Sequence, residues 1–334
     1  MYLIPTIDVE AIKNLKYQGD FNQLILGRTD QGQWGVEKIM EVLKRNNAGA
    51  SFFVDFAEYP KYPKNFQSLS KSILRNGFDV QLHIHPQFCA DINRPLMHHY
   101  SLEEQIKIIE QCQTFYYQCC DTSAKAFRAG GYGADQNTLI AIAQNQIQID
   151  SSYYFNHPWC KLNNLPLNVP SQINDIIEIP ITVFHNRIEY TFVNKPIIKK
   201  MREFRKLDLD LNNTETIKKA LIALKNVSIP IVILFMHSFS LIKRNVRRTI
   251  ISMDINKLKR FENTLIHANK LGYKIISLKD ILDKTDTINS ELSVVPTIET
   301  SKPISRAVQN HLKGKLTHYL RGVDYLPYFN RLKR

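Results

Sequence analysis

Gly77-Phe78-Asp79-Val80-Gln81-Leu82-His83-Ile84-His85-Pro86-Gln87-Phe88 carries the fold and the chemistry together. Phe78, Val80 and Leu82 alternate with polar residues, which is the period of a strand, and Gly77 ends the helical segment before it. Pro86 has no N–H for a ladder, so the strand stops at His85. Residues i and i+2 of a strand share a face. His83 and His85 therefore leave the strand end side by side, placed to hold one metal ion.

On both sides of this stretch, short apolar runs alternate with helix-period segments. Leu3–Ile7, Ser51–Phe56, Lys125–Arg128, Ile147–Tyr153, Ile176–Val183, Ile229–Met236 and Lys274–Ser277 read as strands. Helical spacing covers Trp34–Arg45, Phe66–Arg75, Asp135–Asn145, Thr214–Lys225 and Asn256–Leu271, with a short helix at Lys279–Leu282. A long helix opens on the capping box Ser101-Leu102-Glu103-Glu104. Strands separated by helices of this length make parallel β/α units. With no Gly-rich dinucleotide fingerprint, the expected fold is α/β, an irregular TIM-like (β/α) barrel of about seven or eight strands over residues 1–283. Residues 154–175 and 184–213 are long connections without periodicity, a kind that often carries function.

The 334 residues hold a formal charge of +13, and much of the excess is regional. Lys302, Arg306, Lys313, Lys315, Arg321, Arg331, Lys333 and Arg334 face Asp324 alone near the end of the chain. Thr/Ser-rich residues 284–303 read as a linker. Residues 304–334 read as a basic amphipathic appendage, with Leu312, Leu316, Tyr319 and Leu320 at helical spacing. Such a tail suits peripheral contact with an anionic membrane. No zinc-finger or RRM signature supports nucleic acid as the partner. Cys89, Cys112, Cys119, Cys120 and Cys160 have no framework spacing and read as reduced thiols. The first residues lack the features of a secretory signal. The expected location is the cytoplasm, at the inner membrane face.

Reactive residues of a β/α barrel lie at the C-terminal ends of its strands. Here those ends carry Asp8 and Glu10, then His83 and His85, then Arg128 followed by Gly130, Gly131 and Tyr132, then Asp150, and finally His237. Carboxylates, imidazoles, a guanidinium and a Gly-rich turn at successive strand ends form a catalytic inventory.

The ordered set resembles the polysaccharide deacetylase family, the NodB-homology or carbohydrate esterase family 4 group, in a divergent branch. The motifs that carry the resemblance are Thr6-Ile7-Asp8-Val9-Glu10, Leu82-His83-Ile84-His85-Pro86 and Arg128-Ala129-Gly130-Gly131-Tyr132, with a late His237. The resemblance implies that Asp8 is the general base and that Arg128 pairs with it. It implies that Glu10, His83 and His85 hold one divalent metal ion, zinc first, with cobalt or nickel as alternatives. Glu10 stands in for the family's adjacent aspartate, whose place Val9 takes. His85 stands in for a histidine four residues after His83, where this chain has Gln87. Tyr132 would present a backbone N–H to the oxyanion. His237 would protonate the leaving amine, with Asp150 orienting it. Tyr132, Gly131 and Trp159 would line the sugar groove.

The implied activity is removal of an N-acyl group, an acetyl above all, from an amino sugar of a surface-polysaccharide precursor, nucleotide- or lipid-linked. Two other readings fit the same residues. One is a C–N hydrolase of small cyclic amides or ureides. The other is an inactive carbohydrate-binding barrel.

Overall fold

The computed structural model describes residues 1–11, 21–192, 195–244, 250–283 and 294–303. Its principal strands are β1 (Tyr2–Val9), β2 (Ser51–Asp55), β3 (Asp79–Ile84), β4 (Ala126–Ala129), β5 (Ile149–Asp150), β6 (Ser171–Ile173), β7 (Ile176–Glu178), β8 (Val183–Phe192), β9 (Lys195–Lys206), β10 (Ile231–His237), β11 (Lys274–Ile275) and β12 (Thr297–Pro303). The main helices are α1 (Val36–Arg45), α2 (Pro63–Arg75), α3 (Leu102–Cys120), α4 (Gln136–Gln144), α5 (Thr214–Asn226) and α6 (Ile255–Lys270). Two compact units divide the chain: Met1–His185 with Phe204–Ile298, and Asn186–Glu203 with Glu299–Arg334.

The first unit is the barrel. Its sheet runs β10-β1-β2-β3-β4-β5-β7-β6, with β11 joining β1 at its start. Every pairing along this run is parallel except β6 with β7. The remaining gap is bridged by residues 207–209. Leu207 N–H donates to the Thr182 carbonyl at 2.8 Å, Phe235 N–H to the Leu207 carbonyl at 3.0 Å, and Leu209 N–H to the Phe235 carbonyl at 3.0 Å. The result is the irregular α/β barrel expected from the strand–helix alternation.

Alternation along each strand sorts two environments. On β1, Leu3, Ile7 and Val9 pack outward under the helices, while Ile4 lies in the inner cluster with Phe53, Ile149, Ile233 and Phe235. On β3, Val80, Leu82 and Ile84 belong to the outer layer. The alternate residues Asp79, Gln81 and His83 are buried too, and they are polar. Ser51 Oγ donates to Asp79 Oδ2 at 2.7 Å, and Gln81 Nε2 donates to Asp79 Oδ1 at 2.8 Å. Gln81 Oε1 accepts from the backbone N–H of Lys125 and Ala126. This network lies at the strand starts. Burial pushes the Asp79 carboxyl up to about 6 against those hydrogen bonds. The turn between α2 and β3 reverses at Gly77, whose φ of 83° lies in the left-handed region.

The long connection 184–213 differs from the expectation of an aperiodic loop. It forms β8 and β9, which with β12 make a three-stranded sheet in the order β9-β8-β12. Residues 297–303, read as part of a linker, are strand β12. Thr297-Ile298-Glu299-Thr300 alternates at period two, a signal that the Thr/Ser content outweighed. The tail 304–334 lies outside the described residues. Among the described residues no helix is long and apolar enough to cross a membrane.

The α3 cap provides a test of local stability. Ser101 Oγ accepts from Glu104 N–H at 3.3 Å, and the Glu104 side chain accepts from Ser101 N–H at 2.8 Å. Ser101→Ala should lower unfolding free energy by about 1 kcal/mol in urea titrations. An unchanged midpoint would remove the box from the stabilising contacts.

Candidate metal centre and active site

Parallel pairing sets the site in one row. Asp8 is in register with His237, Asp55 with His83, and His83 with Arg128. Each sits at or next to the C-terminal end of its strand, so the side chains converge at the barrel mouth. Glu10 follows β1 by one residue, and Ala11 N–H, bonded to Glu58 Oε1 at 3.1 Å, pins the chain just beyond it.

Glu10, His83 and His85 each offer a ligand atom within 4.8 Å of the others. His83 Nδ1 donates to the Arg128 carbonyl at 2.8 Å, which places the ring proton there and leaves the lone pair on Nε2. That Nε2 is buried and has no hydrogen-bond partner among the described residues. It lies 3.6 Å from Glu10 Oε2 and 3.9 Å from Asp8 Oδ2. A neutral imidazole whose lone pair faces two carboxylates is unfavourable by itself; a cation between them, a proton or a divalent metal ion, fits the arrangement. Burial would lower the His83 pKa, but Asp8, Glu10 and Asp55 outweigh it and the net shift is upward. His85 Nε2 meets Glu10 Oε2 at 2.6 Å, and its backbone N–H donates to Asp55 Oδ1 at 3.1 Å. The His85 ring packs on Gly130, where an added Cβ would lie 2.5 Å from His85 Cγ. Gly130 is thus required by the close approach of the His85 side chain.

Arg128 is fully buried and holds Asp8. Its Nη1 donates to Asp8 Oδ1 at 2.7 Å and to Thr6 Oγ1 at 3.1 Å. Its Nε and Nη2 donate to the Ser151 carbonyl and hydroxyl, each at 3.0 Å.

His237 sits across the mouth, with Nε2 3.9 Å from Glu10 Oε1. Its carboxylate neighbour is Asp210, whose Oδ2 lies 3.7 Å from Nδ1. Lys257 Nζ and Ser240 Oγ both donate to Asp210. Burial alone would raise the Asp210 carboxyl, yet His237 and Lys257 hold it well below the usual carboxylate range. Burial likewise opposes the charged form of His237, and Asp210, Glu10 and Asp8 carry its pKa upward.

Asp150, expected to orient His237, is placed elsewhere. Its Oδ1 accepts from Ser152 Oγ at 2.7 Å, and Ser152 Oγ accepts from Ala129 N–H at 2.9 Å. Asp150 also stands in register with Glu178 on β7. Asp210 stands beside His237 instead, because residues 206–210 run beside β10, whereas β5 lies on the far side of β4. Asp55 and Asp210 were both missed from the sequence. Asp55 ends β2, so the strand-end rule applied to that strand would reach it. Asp210 lies in the aperiodic connection, where only the alternation Asp208-Leu209-Asp210 marks it.

The expected groove residues Gly131, Tyr132 and Trp159 do come together. Tyr132 packs edge-on to Tyr154 and His157 at centroid distances of 5.1 and 5.2 Å. A Cβ on Gly131 would meet Trp159 Cε3 at 2.9 Å. Gln87 lies in the turn Pro86–Phe88, with Oε1 buried and without a hydrogen-bond partner among the described residues.

No protein-family model and no curated protein matches the chain. Solved structures do. A putative polysaccharide deacetylase from Mycobacterium smegmatis aligns over 90% of this chain and 94% of that one, at 14% identity and TM-score 0.53. The chain thus has the polysaccharide-deacetylase fold, the irregular NodB-type (β/α) barrel. A family 4 carbohydrate esterase from Streptomyces lividans, in complex with acetate, aligns over 82% of this chain and 90% of that one, at 11% identity and TM-score 0.44. A carbohydrate esterase family 4 pseudoenzyme from Bacillus anthracis aligns over 85% of this chain, at 12% identity and TM-score 0.46; the chain spans 66% of that protein's length.

Asp150 and Glu178 generate a pH prediction. Burial first, then the Asp150 carboxylate, pushes Glu178 well up, and burial raises Asp150 as well. Two buried carboxyls side by side cannot both ionise. A raised folded-state pKa stabilises fully at low pH, and that stability is lost as pH rises through the folded value. Glu178→Gln should flatten the fall in unfolding free energy as pH rises above the ordinary carboxylate range. Equal slopes in the two proteins would show that the pair does not titrate.

Proposed function

We propose that this chain is a metal-dependent hydrolase that removes an N-acyl group, an acetyl above all, from an amino sugar. The observation that carries the reading is His83 Nε2: buried, its tautomer set by the Arg128 carbonyl, and facing Glu10 and Asp8 with no hydrogen-bond partner among the described residues. Glu10, His83 and His85 would hold the ion, zinc first, with cobalt or nickel as alternatives. Such an ion supplies Lewis-acid polarisation of the acyl carbonyl and lowers the pKa of water to about 7.

The chain's own residues divide the rest of the work. Asp8, aimed by Arg128, takes a proton from the attacking water. Asp8 Oδ1 is bound to the guanidinium, so Oδ2, on the His83 side, is the oxygen that receives it. The turn Gly130–Tyr132 presents a backbone N–H to the developing oxyanion. His237, protonated beside Asp210, delivers a proton to the departing nitrogen. Without that proton the poor amine leaving group would return to the acyl carbon.

The sugar class rests on half-buried Trp159 beside the Gly130–Tyr132 turn, since aromatic faces suit sugar rings. Five free thiols support work in a reducing compartment, with a nucleotide- or lipid-linked precursor as substrate. Cys89 and Cys112 lie with their sulfurs 4.0 Å apart and unbonded.

Metal analysis of the purified protein should find one equivalent of zinc, cobalt or nickel, lost in His83→Ala/His85→Ala. Acetate should be released from N-acetylated amino-sugar nucleotides. A protein that takes up no metal sinks the reading and leaves a carbohydrate-binding barrel. Release of product from small cyclic ureides instead would redirect the activity to that class. His237→Ala should lower kcat by about 10²-fold or more. Because a neighbouring carboxylate raises the His237 pKa, activity should fall as pH rises through it. Asp210→Asn should then move that alkaline limb to lower pH. A limb left in place would remove Asp210 from the proton-delivery pair.

A further inference from the structure

Lys206 is a buried charge of the barrel that the reaction above does not use. It is 6% exposed and lies on the inner side of the segment that closes the ring. Its Nζ donates to Tyr132 Oη at 3.0 Å and pairs with Asp208 Oδ2 at 2.9 Å. It stands 3.4 Å from the centroid of Phe235, with the rings of Tyr132 and Tyr154 at 5.2 and 5.7 Å. Stability does not account for such a group. Burying an ammonium and a carboxylate gains little over an apolar pair of the same volume.

The place of Tyr132 does account for it. Tyr132 has φ of 59°, a left-handed conformation that is unfavourable for a non-glycine residue. Such a residue persists where its surroundings over-determine it. The turn Gly130–Tyr132 is held at each residue by something different. The His85 ring packs on Gly130, and Trp159 packs on Gly131. Tyr132 is held through its phenol by Lys206, and its ring is boxed by Tyr154, His157 and Phe235.

Residues 206–210 also alternate. Lys206 faces Tyr132, Asp208 faces Lys206, and Asp210 faces His237. Asp208 Oδ1 accepts from the backbone N–H of Leu211 at 3.1 Å, which turns the chain and carries Asp210 to the histidine. One short segment thus reaches both the Gly130–Tyr132 turn and His237.

We propose that Lys206 is a positioning residue. Through the Tyr132 phenol it holds the Gly130–Tyr132 turn, and so the backbone N–H that the turn presents to the acyl oxygen. The catalytic half of this assignment rests on the deacylase reading above; the structural half does not.

The test has two independent arms. In hydrogen-exchange mass spectrometry of the full chain, Lys206→Met should speed exchange in peptides covering residues 128–134, and Lys206→Arg should keep it slow. Tyr132→Phe, which deletes only the acceptor oxygen, should speed the same peptides. The double variant should exchange no faster than the faster single one. In acetate-release kinetics, Lys206→Met should lower kcat tenfold or more with KM within twofold, and Lys206→Arg should recover most of it. Lys206→Met/Asp208→Asn avoids leaving a lone buried carboxylate, should the single variant fold poorly. Unchanged exchange in residues 128–134 overturns the assignment whatever the kinetics show. Faster exchange with kcat unchanged leaves Lys206 a structural contact and overturns its positioning role. If the wild-type protein releases no acyl group, the deacylase reading falls, and exchange still decides whether Lys206 holds the turn.

Discussion

A guanidinium sealed inside the barrel organises this protein. Among the described residues Arg128 is the largest fully buried side chain; it lies 4.2 Å from the Phe53 ring centroid and donates to Asp8, Thr6 and both oxygens of Ser151. Those partners come from β1 and from the chain just after β5, so one side chain ties three staves. A buried charge is tolerable only when it is paired and its donors are satisfied. Stripping one partner from such a pair costs about 3–5 kcal/mol, because the survivor stays buried and uncompensated. Arg128 also fixes chemistry on both sides of itself. Its side chain aims Asp8, and its backbone carbonyl sets the tautomer of His83.

The barrel interior is graded along its length. At the strand starts, Ser51, Asp79 and Gln81 form a hydrogen-bonded network. Apolar residues such as Ile4, Phe53 and Phe235 fill the middle. At the strand ends stand Asp8, His83, Arg128 and His237. The inner apolar layer lowers the local dielectric beneath the site, which strengthens the ion pairs above it. It also makes each unpaired polar atom costly, and this is why the lone Nε2 of His83 is informative.

Each charged group at the mouth has a specific counterpart. Arg128 pairs with Asp8, and His85 with Glu10. His237 has Asp210, which Lys257 also contacts. Asp8 and His237 therefore have different principal partners, Arg128 for one and Asp210 for the other. Asp150 and Glu178, two further buried acids, tie the ends of β4, β5 and β7.

Much of the barrel was legible in the chain because its signals are local. Period-two runs, helix-period segments and the Ser101 cap need only neighbours a few residues apart. So does the rule that polar residues at strand ends face the mouth, which led to Asp8, Glu10, His83, His85, Arg128 and His237. Strand limits were less legible. The run Ile147–Tyr153 shrank to Ile149–Asp150, since ladder bonds and not apolar content set a strand's length. What tertiary structure alone decided is which groups meet. Asp210 reaches His237, Lys206 reaches Tyr132, and Asp55 reaches His85, across 27, 74 and 30 residues of chain. Nothing local distinguishes Asp150 from Asp210 as the partner of a histidine. The order in which staves lie side by side makes that choice, and it is a property of the closed sheet.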